Sequence, residues 1–443
     1  MRLEDFKEKV FSYAKKKGFD ECELRFSRER EFGVVVSKQN IDNYNDADSL
    51  KVVFKGLKDS KAAFSSCEIV DEESVKFLVD SAYENFLVTD TLEEDSIYDG
   101  SGEYLRSLHF QDEFEKLPVK DKINFAKAME QKAMALDKRI VMVMMSSYSH
   151  ERYEVSIFNT KGVSLSESAG LGAAFLYLVA SDGKKPKRGF KVRFGSRPDD
   201  IDQEKIAAEA VQEALSQLGA ESIPSGKYRA ILRRDVFSEL FSAFMPIFSA
   251  ESVQKGLSPL KGKLNSRIAS EKLTVVDDPF FEKTPIKRSF DNEGVPTKRK
   301  SFIDQGVLTT YFHSLKSAKK DGVKPTGNVF TYKCVPLNVV VQPGQKSYED
   351  LIRQLDRGVI ITALDGLHSG VRTVSGEFSL SALGYYVENG VVLKPVEQIT
   401  VSGNILEVLK NIEEVGADSD LVSGSAYFPS VLVENIDIAG SGS

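Results

Sequence analysis

Histidine is the scarcest informative side chain in this 443-residue chain, with four copies: His109, His150, His313 and His368. No two lie within thirty residues of each other, so no helix can present two imidazoles on one face to a zinc ion. The three cysteines, Cys22, Cys67 and Cys334, are odd in number and far apart, which gives neither a disulfide framework nor a paired Cys-x-x-Cys clip. His313, Cys334 and His368 could meet around a metal in space, or stand apart as separately satisfied side chains. No Gly-x-Ser-x-Gly elbow occurs. GLSPLKGK (256–263) has one residue too many between its glycines for a phosphate loop, and Leu264 follows its lysine where Ser or Thr must hold magnesium. GLGAAF (170–175) lacks the third glycine of a dinucleotide fingerprint. The residues alone show no complete catalytic constellation.

One segment concentrates polar side chains among glycines: DGLHSGVRTVSGEFSLSALGYYVENG (365–390). Asp365, His368, Ser369, Arg372, Ser375 and Ser379 interleave there with Gly366, Gly370 and Gly376. Close backbone approach beside mixed donors and acceptors fits a ligand-facing loop between strands. A glycine-rich bend at a barrel corner fits the same residues.

The elements that must position such a loop are read from periodicity. Leu3, Phe6, Val10 and Ala14 recur at helical spacing up to Gly18. Alternating runs at 22–26, 32–36 and 50–54 predict strands, and Asp71 caps a second helix through Val75, Leu78 and Ala82. After an acidic, loop-like stretch from Asp90 to Glu115 the plan recurs. Pro118 and Asp121 open a helix, strands are predicted at 139–145, 152–159 and 172–180, and a helix at about 202–218 ends at Gly219. Helix–strands–helix twice over suggests an internal duplication of an α+β unit. IPSGKYR (223–229) marks the expected boundary between an N-terminal α+β domain (1–222) and a C-terminal β-rich, barrel-like domain with a few helices (223–443). In the latter, Asn389-Gly390 predicts a two-residue hairpin turn. Ser347 with Asp350 predicts a capping box on a helix closing at Gly358, and another helix is predicted at about 404–415.

Composition sets the class. With 41% hydrophobic and 28% charged residues the chain reads as an ordinary globular protein. Its net charge of −7 (59 basic against 66 acidic) argues against a nucleic-acid footprint. The basic runs KKPKR (184–188) and KRK (298–300) read as solvated loops. The start, MRLEDFKEK, has no apolar core of a signal peptide, and no apolar run reaches membrane-spanning length. A cytoplasmic location with no membrane partner is expected.

The runs SFDNEGVPTKRKSFIDQGVLTTYFHSLKSAKKDGVKPTGN (289–328), VSGEFSLSALGYYVENGVVLKPVEQITVSGN (374–404) and FPSVLVENIDIAG (428–440) are similar, in order and spacing, to the C-terminal region of the TldD/PmbA family. The N-terminal part, with an NTKG turn at 159–162, fits the family plan more loosely. The resemblance implies one of two branches. TldD-like members are zinc metalloproteases with a His-Glu-x-x-x-His helix and a late Cys ligand. PmbA-like members, also called TldE and described as proposed modulators of DNA gyrase, lack those ligands and pair with a TldD-like subunit. Here the corresponding helix reads RRDVFSELFSAFMPIFSAESVQ (233–254). Ser242 and Ile247 stand about where the two His ligands would sit and Ala243 where the Glu, the general base, would sit; Pro246 interrupts the helix, and around Ser423-Gly424-Ser425 there is only hydroxyl and glycine.

The resemblance thus implies a subunit without catalytic residues or bound metal, with zinc expected in a TldD-like partner. Together the two would form a heterodimer acting on unfolded peptide, and a homodimer is expected for the chain in isolation. Two alternatives are a stand-alone protein-binding regulator and an active metallopeptidase with an unfamiliar site.

Overall fold

Apolar residues at helical spacing and a glycine stop define the first element. Helix α1 (Leu3–Lys17) buries Phe6, Val10 and Ala14 and ends at Gly18, whose φ of 92° suits a residue without Cβ. Strands β1 (Glu21–Ser37), β2 (Asn40–Lys58) and β3 (Lys61–Cys67) form a meander. Helix α2 (Glu72–Val88) follows, and its N-cap Asp71 accepts the Ser74 amide. The order then repeats as α3 (Val119–Leu136), β4 (Ile140–Asn159), β5 (Ser164–Ala180), β6 (Lys187–Gly195) and α4 (Gln203–Ser216). The computed structural model describes residues 1–89, 94–105, 108–331 and 333–441, so parts of the acidic connection expected over 90–115 lie outside the described residues.

The two units share one antiparallel sheet in the order β3-β2-β1-β4-β5-β6, with β1 and β4 paired at its centre. Helices α1 and α2 cover Leu24, Phe26, Val52 and Phe54 on one part of the sheet. Helices α3 and α4 cover Phe32, Val34, Val36, Leu176 and Leu178 on the other. The sequence predicts two short strands in place of each of β1 and β4; the structure has single strands of 17 and 20 residues. The apolar alternation lapses where the sheet crosses between the two helix pairs. Arg28, Arg30, Arg152 and Glu154 line a small hollow there.

The remaining elements are β7 (Pro224–Leu232), α5 (Arg234–Ala243), α6 (Ala250–Gln254), β8 (Val275–Asp277), β9 (Lys300–Asp304), β10 (Val307–Leu308), α7 (Leu315–Asp321), β11 (Val339–Val341), α8 (Tyr348–Leu355), β12 (Gly358–Asp365), β13 (Val371–Arg372), β14 (Glu377–Glu388), β15 (Val391–Asn404), α9 (Ile405–Lys410), β16 (Ile412–Val415), β17 (Asp420–Ser423), β18 (Ala426–Phe428) and β19 (Val431–Ser441). β7, β12, β14, β15 and β19 close on themselves, because β12 pairs both with β7 in parallel and with β14 antiparallel. The fold is therefore α+β, with a five-stranded mixed barrel in its second half. A second sheet, β10-β9-β8-β11-β18-β17, lies beside the barrel. Phe237, Phe241, Phe244 and Phe248, on α5 and the turn after it, are at most 1% exposed and join barrel and second sheet into one core. Each such burial contributes roughly 1.5–3 kcal/mol.

The Asn389-Gly390 turn has φ of 54° and 69° and joins β14 to β15, as its sequence predicts. The Ser347–Asp350 capping box is present on α8. The helix expected over 404–415 stops at Lys410; Ile412 and Val415 instead join strand β16, where Ile412 pairs with Val433. Among the described residues no helix is long and apolar enough to cross a membrane.

The seam that closes the barrel has no room for a side chain at Gly384, where a Cβ would collide with the Ile360 carbonyl oxygen. Gly384→Val is expected to cost about 2 kcal/mol or more, measured as a lower urea midpoint without a change in slope.

Candidate functional site

The face of the sheet opposite the helices looks onto the second half of the chain, and a cleft runs between them. Its larger part, about 580 Å³, is lined from the sheet by Glu31, Gly33, Asn45, Ser149, Glu151, Leu171 and Phe194, and from the other side by Ile286 and Ser423–Ser425. An adjoining cavity of about 360 Å³ shares Ile286 and Ser425 and is bordered by Ser27, Glu29, Tyr153, Arg288, Asn292 and Phe330. Period-two side-chain placement puts residues 27, 29, 31 and 33 of β1 on this face, beside 155, 153, 151 and 149 of β4.

A buried ion pair ties the two walls. Glu167 on β5 accepts hydrogen bonds from Arg288 Nε, from the Ser289 amide (2.8 Å) and from Ser289 Oγ (2.6 Å). The Arg288 guanidinium lies 5.6–5.9 Å from the ring centres of Tyr153, Phe290 and Phe330. A second polar cluster lies within the second half of the chain. Asp291 accepts the amides of Glu293, Val295 and Val329, and Glu293 accepts the Leu315 amide at the start of α7. Burial pushes the carboxyls of Asp291 and Glu293 upward. Burial likewise raises Glu23 on β1 to about 7, against the opposing pull of Lys55. On the cleft floor, Glu31 and Glu151 are direct cross-strand partners. Desolvation, and then Glu31, raise both Glu29 and Glu151.

On the helix side of the sheet, His150 stacks between Phe32 and Phe114, at 5.4 and 5.8 Å. Its Nε2 lies 2.7 Å from Lys122 Nζ, and burial, then the Lys122 charge, lower its pKa to about 4. Asp112, Glu115 and His150 are the one group of three potential metal ligands among the described residues. Lys122 already supplies a positive charge there.

The loop residues read from sequence do come together, on an exposed rim of the barrel. Asp365 ends β12, Ser369 and Gly370 close a turn on Gly366, Arg372 lies in β13, and Ser375 Oγ donates to Glu377 at 3.0 Å. Asp365, His368, Ser369, Arg372, Ser375 and Ser379 are all exposed, and the cleft linings above contain none of them. The loop borders α5: Asp365 acts electrostatically on Glu239, and Phe378 packs on Phe244 with ring centres 6.4 Å apart. His313 and Cys334 are buried while His368 is exposed, so the three do not gather. Ser242 is exposed, Ala243 half-buried, and Ile247 1% exposed in the phenylalanine-rich core. The residues that sequence reading missed, Glu31, Glu151, Glu167 and Arg288, carried no local signal beyond ordinary strand alternation.

Three family models match in chain order. They are the PmbA/TldA metallopeptidase domain 1 (residues 22–86), central domain (112–218) and C-terminal domain (225–440). The chain is 28% identical to the metalloprotease PmbA of Escherichia coli O157:H7, over 72% of this chain and 69% of that protein. It is similar to a proposed modulator of a DNA gyrase from Thermotoga maritima MSB8, with 38% identity, a TM-score of 0.93, and coverage of 99% of this chain and 100% of that one. TldE from Thermococcus kodakarensis shares the fold, with a TM-score of 0.90 at 24% identity, covering 98% and 100% of the two chains.

The raised Glu23 carboxyl sets a pH dependence. Its favourable contribution to stability is fully present below about 4.5 and is lost as pH rises through about 7. Glu23→Gln is therefore expected to match the wild type near pH 4.5 and to exceed it by about 3 kcal/mol near pH 8, measured by urea unfolding.

Proposed function

The chain belongs to the PmbA/TldD metallopeptidase family, and we propose that it acts there as a non-catalytic, PmbA/TldE-like subunit that holds unfolded peptide for a zinc-bearing, TldD-like partner. The observation that carries this reading is the chemistry at the family's ligand positions. Ala243 and Ile247 have no donor atom, and Ser242 is not a good zinc ligand. Helix α5 ends at Ala243, and a 3₁₀ turn over Met245–Phe248 contains Pro246, so the first and last ligand positions do not share one helix. The turn Ser423-Gly424-Ser425, in place of the late Cys, offers hydroxyls and backbone to the cleft. These residues do not fit a zinc ion, and no chemical step is assigned to this chain.

What the chain contributes is binding. Strand β17 is the terminal strand of its sheet and touches β6, the terminal strand of the first sheet, beside the cleft. Strand edges grip an extended peptide through main-chain hydrogen bonds with little demand on its sequence. Such a grip suits an unfolded substrate and excludes a folded one. A second reading, a stand-alone regulator, is favoured by the likeness to the Thermotoga protein described as a proposed gyrase modulator. It needs a protein-binding surface and no peptide turnover.

Mixing the purified chain with a family member that carries His-Glu-x-x-x-His tests the proposal. Hydrolysis of an unfolded peptide is expected to need both chains, with a heterodimer seen by size-exclusion light scattering. Equal turnover with and without this chain contradicts it.

A further inference from the structure

Arg288 is only 5% exposed, yet its Nη2 has no hydrogen-bond partner among the described residues. Its Nε is held by Glu167, and three aromatic rings surround the guanidinium at 5.6–5.9 Å. It borders the 360 Å³ cavity of the cleft with Ser27 and Asn292. A second arginine stands beside it. Arg25 lies on the same face of β1 as Ser27, two residues along the strand, and borders a separate hollow with Lys51 and Val53. Its backbone is paired in the sheet, but its guanidinium makes no hydrogen bond or ion pair among the described residues. Burial and the Arg288 charge lower its pKa, partly offset by Glu23. Two neighbouring guanidiniums with donors to spare, one from each half of the chain, form an incomplete charge arrangement that an anion would complete.

We propose that Arg288 and Arg25 form a carboxylate subsite at the Tyr153–Phe330 end of the cleft, which takes a carboxylate of the extended peptide. Glu167 pairs with Arg288 and Glu23 partly offsets Arg25, so the two guanidiniums keep at most a single positive charge between them, which suits a carboxylate better than a doubly charged phosphate. Glu29 stands at the rim, where desolvation and then Glu31 raise its carboxyl. The inference rests on the peptide reading above and adds a chemical preference to it: peptide is anchored at one end by a C-terminal carboxylate or an acidic side chain.

The test is fluorescence anisotropy of labelled unfolded peptides with the full chain, alone and with its TldD-like partner. Three versions of one sequence are compared: a free C-terminus without acidic residues, an amidated C-terminus with one Asp, and an amidated C-terminus with no acid. The third is expected to bind about tenfold or more weakly than the better of the other two, which identifies the source of the carboxylate. Arg25→Gln, which leaves the Glu167 pair intact, is expected to erase that difference, and Arg288→Lys to reduce it. Equal binding of all three peptides, or discrimination that survives Arg25→Gln, overturns the subsite while leaving the peptide groove standing. No binding of any peptide, with or without the partner, overturns the groove and the subsite together.

Discussion

A carboxylate removed from water must be fully answered, and Glu167 meets that requirement only by joining the two halves of the chain. Desolvating such a group costs several kcal/mol. Arg288 and Ser289 return the lost interactions through three donors. The pair therefore fixes where the segment 286–292 lies against the sheet, and so sets the width of the cleft. Breaking either partner would leave the other charge buried without compensation. The cleft is thus built in advance of any occupant, which lowers the ordering cost of binding.

The long central strands serve the same geometry. β1 and β4 run past two separate helix pairs on one face, while their other face packs Val155 and Ile157 against Phe290 and Val295 and elsewhere lines the cleft. The closed barrel and the phenylalanine cluster of α5 make the opposing wall rigid. Of Ser242, Ala243 and Ile247, only Ile247 is buried in this packing, while Ser242 is exposed at the end of α5. Burial of Phe237, Phe241, Phe244 and Phe248 on α5 and the turn after it stabilises this wall of the molecule.

Local chemistry was legible in the sequence, and assembly across the chain was not. Caps and turns depend on neighbouring residues, so Asp71, the Ser347–Asp350 box and Asn389-Gly390 were read correctly. The alternation in β1 and β4 broke at Arg28, Arg30, Arg152 and Glu154 because those residues face a gap between helix layers, and each strand was therefore read as two. The basic runs read in sequence as solvated loops, yet Lys187 is buried against Glu397 and Lys300 pairs with Asp277 and Asn328. The cleft itself joins Glu31 to Glu151 and Glu167 to Arg288 over more than a hundred residues, and no window of sequence holds such a pattern. The glycine-rich loop is legible because its polar and glycine residues are contiguous, and it lies on the barrel rim beside α5.

The account turns on whether this polypeptide can hold the metal that its family uses. Zinc titration of the purified, chelator-treated chain by calorimetry, with peptide hydrolysis followed on the same samples, addresses that directly. No stoichiometric binding and no cleavage by the chain alone is the expected result. One tightly bound zinc per chain, together with cleavage in the absence of any partner, would contradict it.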